Sequence, residues 1–340
     1  MALVGLAMVV VLGVLGFARM VRHVLHEGSG RTHADAGSRL EEVIVEEGSA
    51  GDKLVVIDIE GVIYGGAKLG GSAPDLVESV REQLKRAEKD EAVKGILLRI
   101  DSPGGEVLAA DDIYRQLENF QERTGKPVVA SMGSVAASGG YYVAAPCRWI
   151  VANALTITGS IGVIMHGYNY RGLMDKVGVQ PEVYKSGRFK DMMSGEKRPE
   201  EILPEEKEMV QSLINETFER FKTVVAEGRR KTQSQRGSEG RTLTTEWEKF
   251  ADGRVFSGQQ AHAWGFVDEL GDFRTAVKRA EALAKIEDAR LIRYEEPFEL
   301  GNLLRLFAKS DARGLKLDLG LDFPPIRTGR LYYLFLPGAR

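Results

Sequence analysis

Pro127-Val128-Val129-Ala130-Ser131-Met132-Gly133-Ser134-Val135-Ala136-Ala137-Ser138-Gly139-Gly140-Tyr141-Tyr142 carries the decision about the fold. Pro127–Met132 predicts a buried strand, Gly133–Ser138 a loop of small residues, and Gly139–Ala145 a helix that opens at the serine. The same unit recurs on both sides. Lys53–Ile59 and Gly95–Ile100 are short apolar, partly β-branched runs that predict strands. A helix begins at Pro74, with Leu76, Val77, Val80, Leu84 and Ala87 on one face, and another carries Val107, Ala110, Ile113, Leu117 and Phe120. Further on, Trp149–Val151, Ser160–Met165 and Pro181–Lys185 read as strands, Tyr170–Val177 as a short helix, and Pro204–Arg230 as a long amphipathic one. Asp272 caps a helix running to about Ile286, and Arg290–Tyr294 is a closing strand. Strands alternating with helices imply βαβ crossovers and a largely parallel sheet, an α/β fold. Ligands of such sheets bind at the carboxyl ends of the strands. Two glycine loops fall there, Asp101–Gly105 and Gly133–Gly140.

The 340 residues suffice for one large domain or two small ones. The net charge of −3 and the dispersed basic residues exclude a nucleic-acid partner. A single cysteine, Cys147, excludes an intrachain disulfide and sits among alanines as a small buried hydrophobe. Metal-ligand spacings and the Gly-Lys-Ser/Thr ending of a phosphate loop are both missing. Ala2–Phe17 is uncharged and apolar, and with Ala18 reaches the lower margin of the roughly 17–25 residues of a spanning helix. Residues 1–18 are therefore expected to anchor the chain in a membrane, with 19–50 a linker that holds a short strand near Glu42–Val45. Arg19 and Arg22 follow the span, which by the positive-inside rule argues for a cytoplasmic body.

Ser138 followed by two glycines allows close approach of a substrate backbone, and amide groups beside it could stabilise an oxyanion. The same residues also serve a tight turn with a serine N-cap. Asp101-Ser102-Pro103-Gly104-Gly105 could offer the Gly105 amide as a second donor, or be an ordinary βα turn. A serine is a weak nucleophile unless a base removes its proton. Lys190, in Ser186-Gly187-Arg188-Phe189-Lys190-Asp191, has apolar neighbours in Phe189, Met192 and Met193; taken alone it would be a surface residue. A lysine serves as a base only where burial lowers its pKa from about 10.4. Of the histidines, His23, His26 and His33 flank the anchor and His262 lies in a late helix. His166 alone falls near the strand ends, and it reads as structural.

The ordered set Asp101-Ser102-Pro103-Gly104-Gly105, Ala136-Ala137-Ser138-Gly139-Gly140-Tyr141-Tyr142, Thr158-Gly159-Ser160-Ile161-Gly162-Val163 and Lys185–Asp191 resembles the signal peptide peptidase A family of S49 serine peptidases, in its short form with one catalytic unit per chain. Gly253-Arg254-Val255-Phe256-Ser257-Gly258 and Gly265–Gly271 extend the resemblance, which covers about residues 50–295. It implies a ClpP/crotonase-like fold built from repeated βαβ units over 51–295, preceded by an N-terminal transmembrane helix, with 296–340 as a C-terminal extension of no catalytic role. Ser138 would be the nucleophile and Lys190 the general base. Ser160 would orient the lysine, and the Gly105 and Gly139 amides would form the oxyanion hole. The resemblance implies no cofactor. It further implies a single-pass protein of the cell membrane, with an extracytoplasmic body assembled as a homo-oligomeric ring, that cleaves remnant signal peptides and similar apolar peptides beside membrane lipid. The family topology is preferred over the charge rule here, because an assigned start downstream of the true one would remove the expected basic segment. Two other readings stay open: a crotonase-type acyl-thioester enzyme using coenzyme A, and a non-catalytic membrane scaffold. Leu331–Leu336 is aromatic and apolar and is expected to pack on a neighbouring surface or partner chain.

Overall fold

The computed structural model describes residues 40–49, 51–66, 75–236, 239–295 and 330–335. The expected anchor at 1–18, most of the expected linker and most of the C-terminal extension lie outside them. Among the described residues no helix is long and apolar enough to cross a membrane.

A central sheet is built from β1 (Glu41–Glu46), β2 (Lys53–Glu60), β3 (Val93–Ser102), β5 (Val128–Ala137), β6 (Trp149–Ala152), β7 (Ile157–Gly159), β9 (Val255–Ser257), β10 (Glu269–Leu270) and β11 (Arg290–Glu295). Its spatial order is β1-β11-β2-β3-β5-β6-β10, with β7 branching from β5 and carrying β9. The pairs β11/β2, β2/β3, β3/β5, β5/β6, β5/β7 and β6/β10 are parallel; β1/β11 and β7/β9 are antiparallel. The short strand expected near Glu42–Val45 is β1, paired to β11 with an irregularity between Ile44 and Glu46.

The sheet's side chains divide by the two-residue period of a strand. Val55, Ile57, Ile59, Ile96, Leu98, Ile100, Val128, Ala130 and Ile150 enter the larger core. That core is covered by α1 (Leu76–Lys89), α2 (Val107–Thr124), α3 (Gly139–Ala144) and α5 (Pro204–Arg236). Leu54, Val56, Leu97, Val129, Trp149 and Val151 face the opposite way, onto α7 (Phe273–Ala284). A sheet covered on both faces explains why its strands read as continuous apolar runs rather than alternating ones. Caps match the helix starts: Asp75 accepts from the Val77 amide at 3.0 Å, and Asp272 and Thr275 form a capping box. α1 thus begins at Leu76, after its Asp75 cap.

Several expectations change. The predicted loop Gly133–Ser138 is mostly strand: β5 continues to Ala137 because Val135–Ala137 pair with Ile157–Gly159 of β7. The predicted strand Ser160–Met165 is divided. β7 ends at Gly159, Ser160 adopts φ 50, and pairing resumes in β8 (Ile164–Met165). Pro181–Lys185 is not a strand; it meets no sheet edge, and Val183 and Tyr184 are exposed. A second, three-stranded sheet has the order β4 (Gly104–Glu106), β12 (Leu331–Leu334), β8. The C-terminal aromatic run therefore packs on its own chain.

Candidate active site

β3 and β5 end side by side, and their connections to α2 and α3 face one another across a few ångströms. At Ser138 the chain leaves β5 and enters α3 with φ 55 and ψ −117. An L-residue held there costs of order 1–3 kcal/mol, and such strain collects at functional sites. Two hydrogen bonds hold the turn: the Ser138 amide donates to the Gly159 carbonyl at 2.8 Å, and the Tyr142 amide donates to the Ser138 carbonyl at 2.9 Å. Ser138 is 1% exposed. A sharp strand-to-helix turn that presents a serine is the geometry of a nucleophile elbow.

The other glycine loop meets this turn. A Cβ on Gly104 would stand 2.6 Å from the Gly139 amide nitrogen, and one on Gly139 would stand 3.1 Å from the Gly105 amide nitrogen. At Gly104 the contact and φ +99 both demand glycine, whereas a side chain at Gly139 would need its neighbours to give way by a few tenths of an ångström. The loop is fixed by the Ser102 hydroxyl, which accepts from the Gly104 amide at 3.1 Å. Ile63 holds it from the far side, with its carbonyl accepting from Glu106 and its amide donating to Gly104. Ser160 follows Gly159 directly; it is 8% exposed and its amide donates to the Arg254 carbonyl at 2.7 Å. Thus Ser138, Gly105, Gly139 and the Gly159–Ser160 turn are brought to one place.

Lys190 lies in an exposed turn, where its amide donates to the Gly187 carbonyl at 3.1 Å, and among the described residues no hydrogen bond or ion pair joins it to Ser138 or to an acidic partner. The turn around it is pinned by other charges. Lys185 pairs with Asp191 at 2.8 Å, Lys197 with Glu206 at 2.6 Å, and Arg188 with Glu205 at 3.0 Å. The hydrogen bond from Lys185 holds the Asp191 carboxyl below its ordinary range. His262 is engaged by Arg241, at 3.2 Å from Nε2. Among the described residues no group of acidic, histidine or cysteine side chains could hold a metal.

Beneath the serine turn lies an aromatic pocket. The Tyr142 hydroxyl donates to Asp111 Oδ1 at 2.6 Å, and Asp111 also meets Arg220 at 3.2 Å and Arg115 at 2.6 Å. Burial pushes the Asp111 carboxyl up, but the Tyr142 hydroxyl and the two guanidinium groups together hold it below its usual range. Burial and the Asp111 bond both push the Tyr142 phenol upward. Tyr142 packs edge-on to Tyr114 and Phe221 at 5.6 and 5.0 Å. Sequence reasoning found the serine and glycines but missed this pocket, because Asp111, Tyr142, Phe221 and Tyr333 come from four distant segments. The one available signal was the aromatic run at Leu331–Leu336.

Comparison with known proteins matches residues 120–287 to Peptidase family S49 and residues 69–158 to Clp protease. A protein of Enterococcus faecium with the provisional name signal peptide peptidase SppA is 35% identical over 260 residues, 76% of this chain and 71% of its own length. A provisionally named protease of Synechocystis sp. is 40% identical over 236 residues, 69% of this chain and 76% of its own. The chloroplastic serine protease SPPA of Arabidopsis thaliana is 33% identical over 238 residues, 69% of this chain and 33% of that longer one. The Peptidase family S49 match runs through the strained serine turn and the Clp protease match through both glycine loops, and the peptidase relatives set the acyl-thioester and scaffold readings aside. The chain is a serine peptidase of family S49, with a mixed α/β, ClpP-like fold.

Proposed function

We propose that Ser138 and Lys190 form a Ser–Lys dyad that hydrolyses extended apolar peptides, remnant signal peptides among them. The observation that carries the reading is the buried Ser138, held at φ 55 where the Gly105 and Gly139 amides converge. Neutral Lys190 takes the hydroxyl proton as Ser138 Oγ attacks the scissile carbonyl, and the two amides stabilise the oxyanion. The proton passes to the departing amine as the C–N bond breaks. Lysine then activates water, whose attack on the acyl-serine releases the acid and restores the hydroxyl. Ser160 orients the ammonium. No cofactor enters.

In one chain Lys190 is exposed. A second copy completes the dyad by bringing its 166–203 segment against the Ser138 turn. That segment exposes Tyr168, Leu173, Val177, Val183 and Tyr184, an apolar surface that a homo-oligomer would cover. We propose that the oligomer is anchored in the cell membrane by residues 1–18, with its body outside the cytoplasm. Labelling intact cells with a membrane-impermeant serine-reactive probe tests nucleophile and topology together: wild type should label and Ser138→Ala should not. Labelling only after permeabilisation would place the body inside.

Subunit mixing tests the shared dyad. Ser138→Ala and Lys190→Ala proteins, each inactive, should regain activity on co-assembly, up to roughly a quarter to a half of wild type. Failure to regain any turnover in mixed oligomers would show that the lysine acts within its own chain.

Gly105→Ala should lower kcat by about 10²–10³, the usual effect of losing one oxyanion donor. A Cβ there would stand 1.9 Å from the Ile63 carbonyl, so the turn and its amide must shift. Steady-state kinetics beside a melting curve separates this from unfolding. An unchanged kcat would remove Gly105 from the oxyanion hole.

A further inference from the structure

α3 begins with the Gly139 amide and is capped by Ser138, yet it is only 6 residues long. A helix of that length has no stability of its own, so its position is set by what its side chains hold. Gly140 presses against the end of β3, where a Cβ would stand 2.7 Å from the Ser102 carbonyl oxygen. The next two residues are tyrosines that anchor the helix to different parts of the fold. The Tyr141 hydroxyl donates to the Phe266 carbonyl at 2.9 Å, and the Tyr142 hydroxyl donates to Asp111 Oδ1 of α2 at 2.6 Å. The Tyr142 amide is also the group that donates to the Ser138 carbonyl. One residue therefore joins the serine turn to Asp111.

Stability alone does not call for a carboxylate at position 111. Asp111 is 9% exposed and shares the buried side of α2 with Ala110, Ile113, Tyr114 and Leu117, while Asp112 beside it is exposed. Burying a charged group costs desolvation, and apolar residues of similar volume are often as stable. What apolar packing lacks is direction. The rings of Tyr114, Phe221 and Tyr333 enclose Tyr142, and the Tyr333 hydroxyl in turn donates to the Thr217 carbonyl of α5 at 3.0 Å. These contacts fill space without fixing where the phenol oxygen lies. A 2.6 Å bond to a carboxylate does fix it, because such bonds are roughly twice as strong as neutral ones and weaken steeply off line. Asp111 is itself held by Arg220 of α5 at 3.2 Å and by Arg115, one turn along α2, at 2.6 Å.

We infer that Asp111 is a positioning residue of the peptidase: through the Tyr142 hydroxyl it fixes α3, and with it the Ser138 hydroxyl and the Gly139 amide, in the geometry that acyl transfer requires. The inference rests on the assignment of Ser138 above. Its consequence is a loss in the chemical step rather than in substrate binding, since a misplacement of about 1 Å can cost on the order of 10²-fold in rate.

The test compares full-length wild type with Tyr142→Phe, Asp111→Asn, Asp111→Ala and the Tyr142→Phe/Asp111→Ala double variant, with melting curves to establish that each is folded at the assay temperature. A fluorogenic peptide reports kcat and KM, and a fluorophosphonate reports the rate of labelling at Ser138. Tyr142→Phe keeps the ring and loses the bond. It and Asp111→Ala should lower kcat and the labelling rate by about 10–100-fold, with KM within about twofold of wild type. Asp111→Asn keeps an oxygen that accepts from the phenol and should lose no more than about threefold. The double variant should be no slower than the slower single one, because both changes break the same bond. Should Asp111→Ala fail to fold, Tyr142→Phe and Asp111→Asn decide the matter. A folded Tyr142→Phe protein with kcat within about twofold of wild type would overturn the inference. So would Asp111→Asn as slow as Tyr142→Phe, or losses that appear in KM alone. Wild type and Tyr142→Phe that label equally fast at Ser138 sink this inference and leave the nucleophile in place. Peptide turnover by wild type without labelling at Ser138 sinks the nucleophile assignment instead.

Discussion

Ser138→Ala and Lys190→Ala are each expected to lower kcat/KM for peptide hydrolysis by about 10⁴ or more, and the double variant should be no worse than either single one. Nucleophile and base act as one unit, so their effects do not add. The fold should survive both changes. Ser138 makes its structural bonds through its backbone, to Gly159 and from Tyr142, and these outlast loss of the hydroxyl. Lys190 is exposed and outside the ion pairs that pin its turn, so its removal should leave the melting temperature nearly unchanged. Purified Lys190→Ala that retains more than about a tenth of wild-type turnover would eliminate the lysine base. An additive loss in the double variant would instead assign the two residues to separate steps.

Asp268→Ala should destabilise the fold by about 3–5 kcal/mol, the usual consequence of leaving a buried charge without its partner. Arg229 and Asp268 form an ion pair with side-chain exposures of 2% and 0%. Asp268 also accepts from the Ile150 amide at 2.9 Å and the Arg241 amide at 3.2 Å, while Arg229 Nε donates to the Gly265 carbonyl at 3.3 Å. Burial draws the guanidinium pKa down most, but the charge and hydrogen bond of Asp268 together with Tyr141 and Cys147 leave Arg229 above its ordinary value. The pair ties α5 to the β6–β10 edge. Because α5 also carries Thr217 and Phe221, the loss should weaken the aromatic pocket along with the fold. Chemical denaturation of the single variants and of Arg229→Met/Asp268→Leu is the measurement. The double variant should be more stable than Asp268→Ala, since no charge is left unpaired. A loss below about 1 kcal/mol in Asp268→Ala would mean that water or a rearranged partner reaches the site.

The parallel strands were legible because they are buried on both faces. Lys53–Ile59, Gly95–Ile100 and Pro127–Met132 are apolar without interruption, which only a doubly covered sheet requires. The reading failed where pairing rather than composition decides. Gly133–Ala137 has the composition of a loop, yet it is strand because β7 lies alongside. Val183 and Tyr184 have strand residues' chemistry, yet they stay irregular because no edge is near. Lys190 shows the same limit at the site: its motif is visible in the chain, whereas that it sits in an exposed turn is not.

From the sequence alone follow the α/β class, the serine turn, the two glycine loops and the family to which they belong. Each is a local pattern, a period of apolar residues or a glycine that a close approach demands. Only the tertiary structure decided that β5 runs on to Ala137, that Gly105 and Gly139 converge on Ser138, and that Tyr333 rests over them. Those outcomes depend on strand register and on contacts between segments more than two hundred residues apart. The free energy of such contacts comes from burying surfaces against each other, and no single segment carries that information by itself.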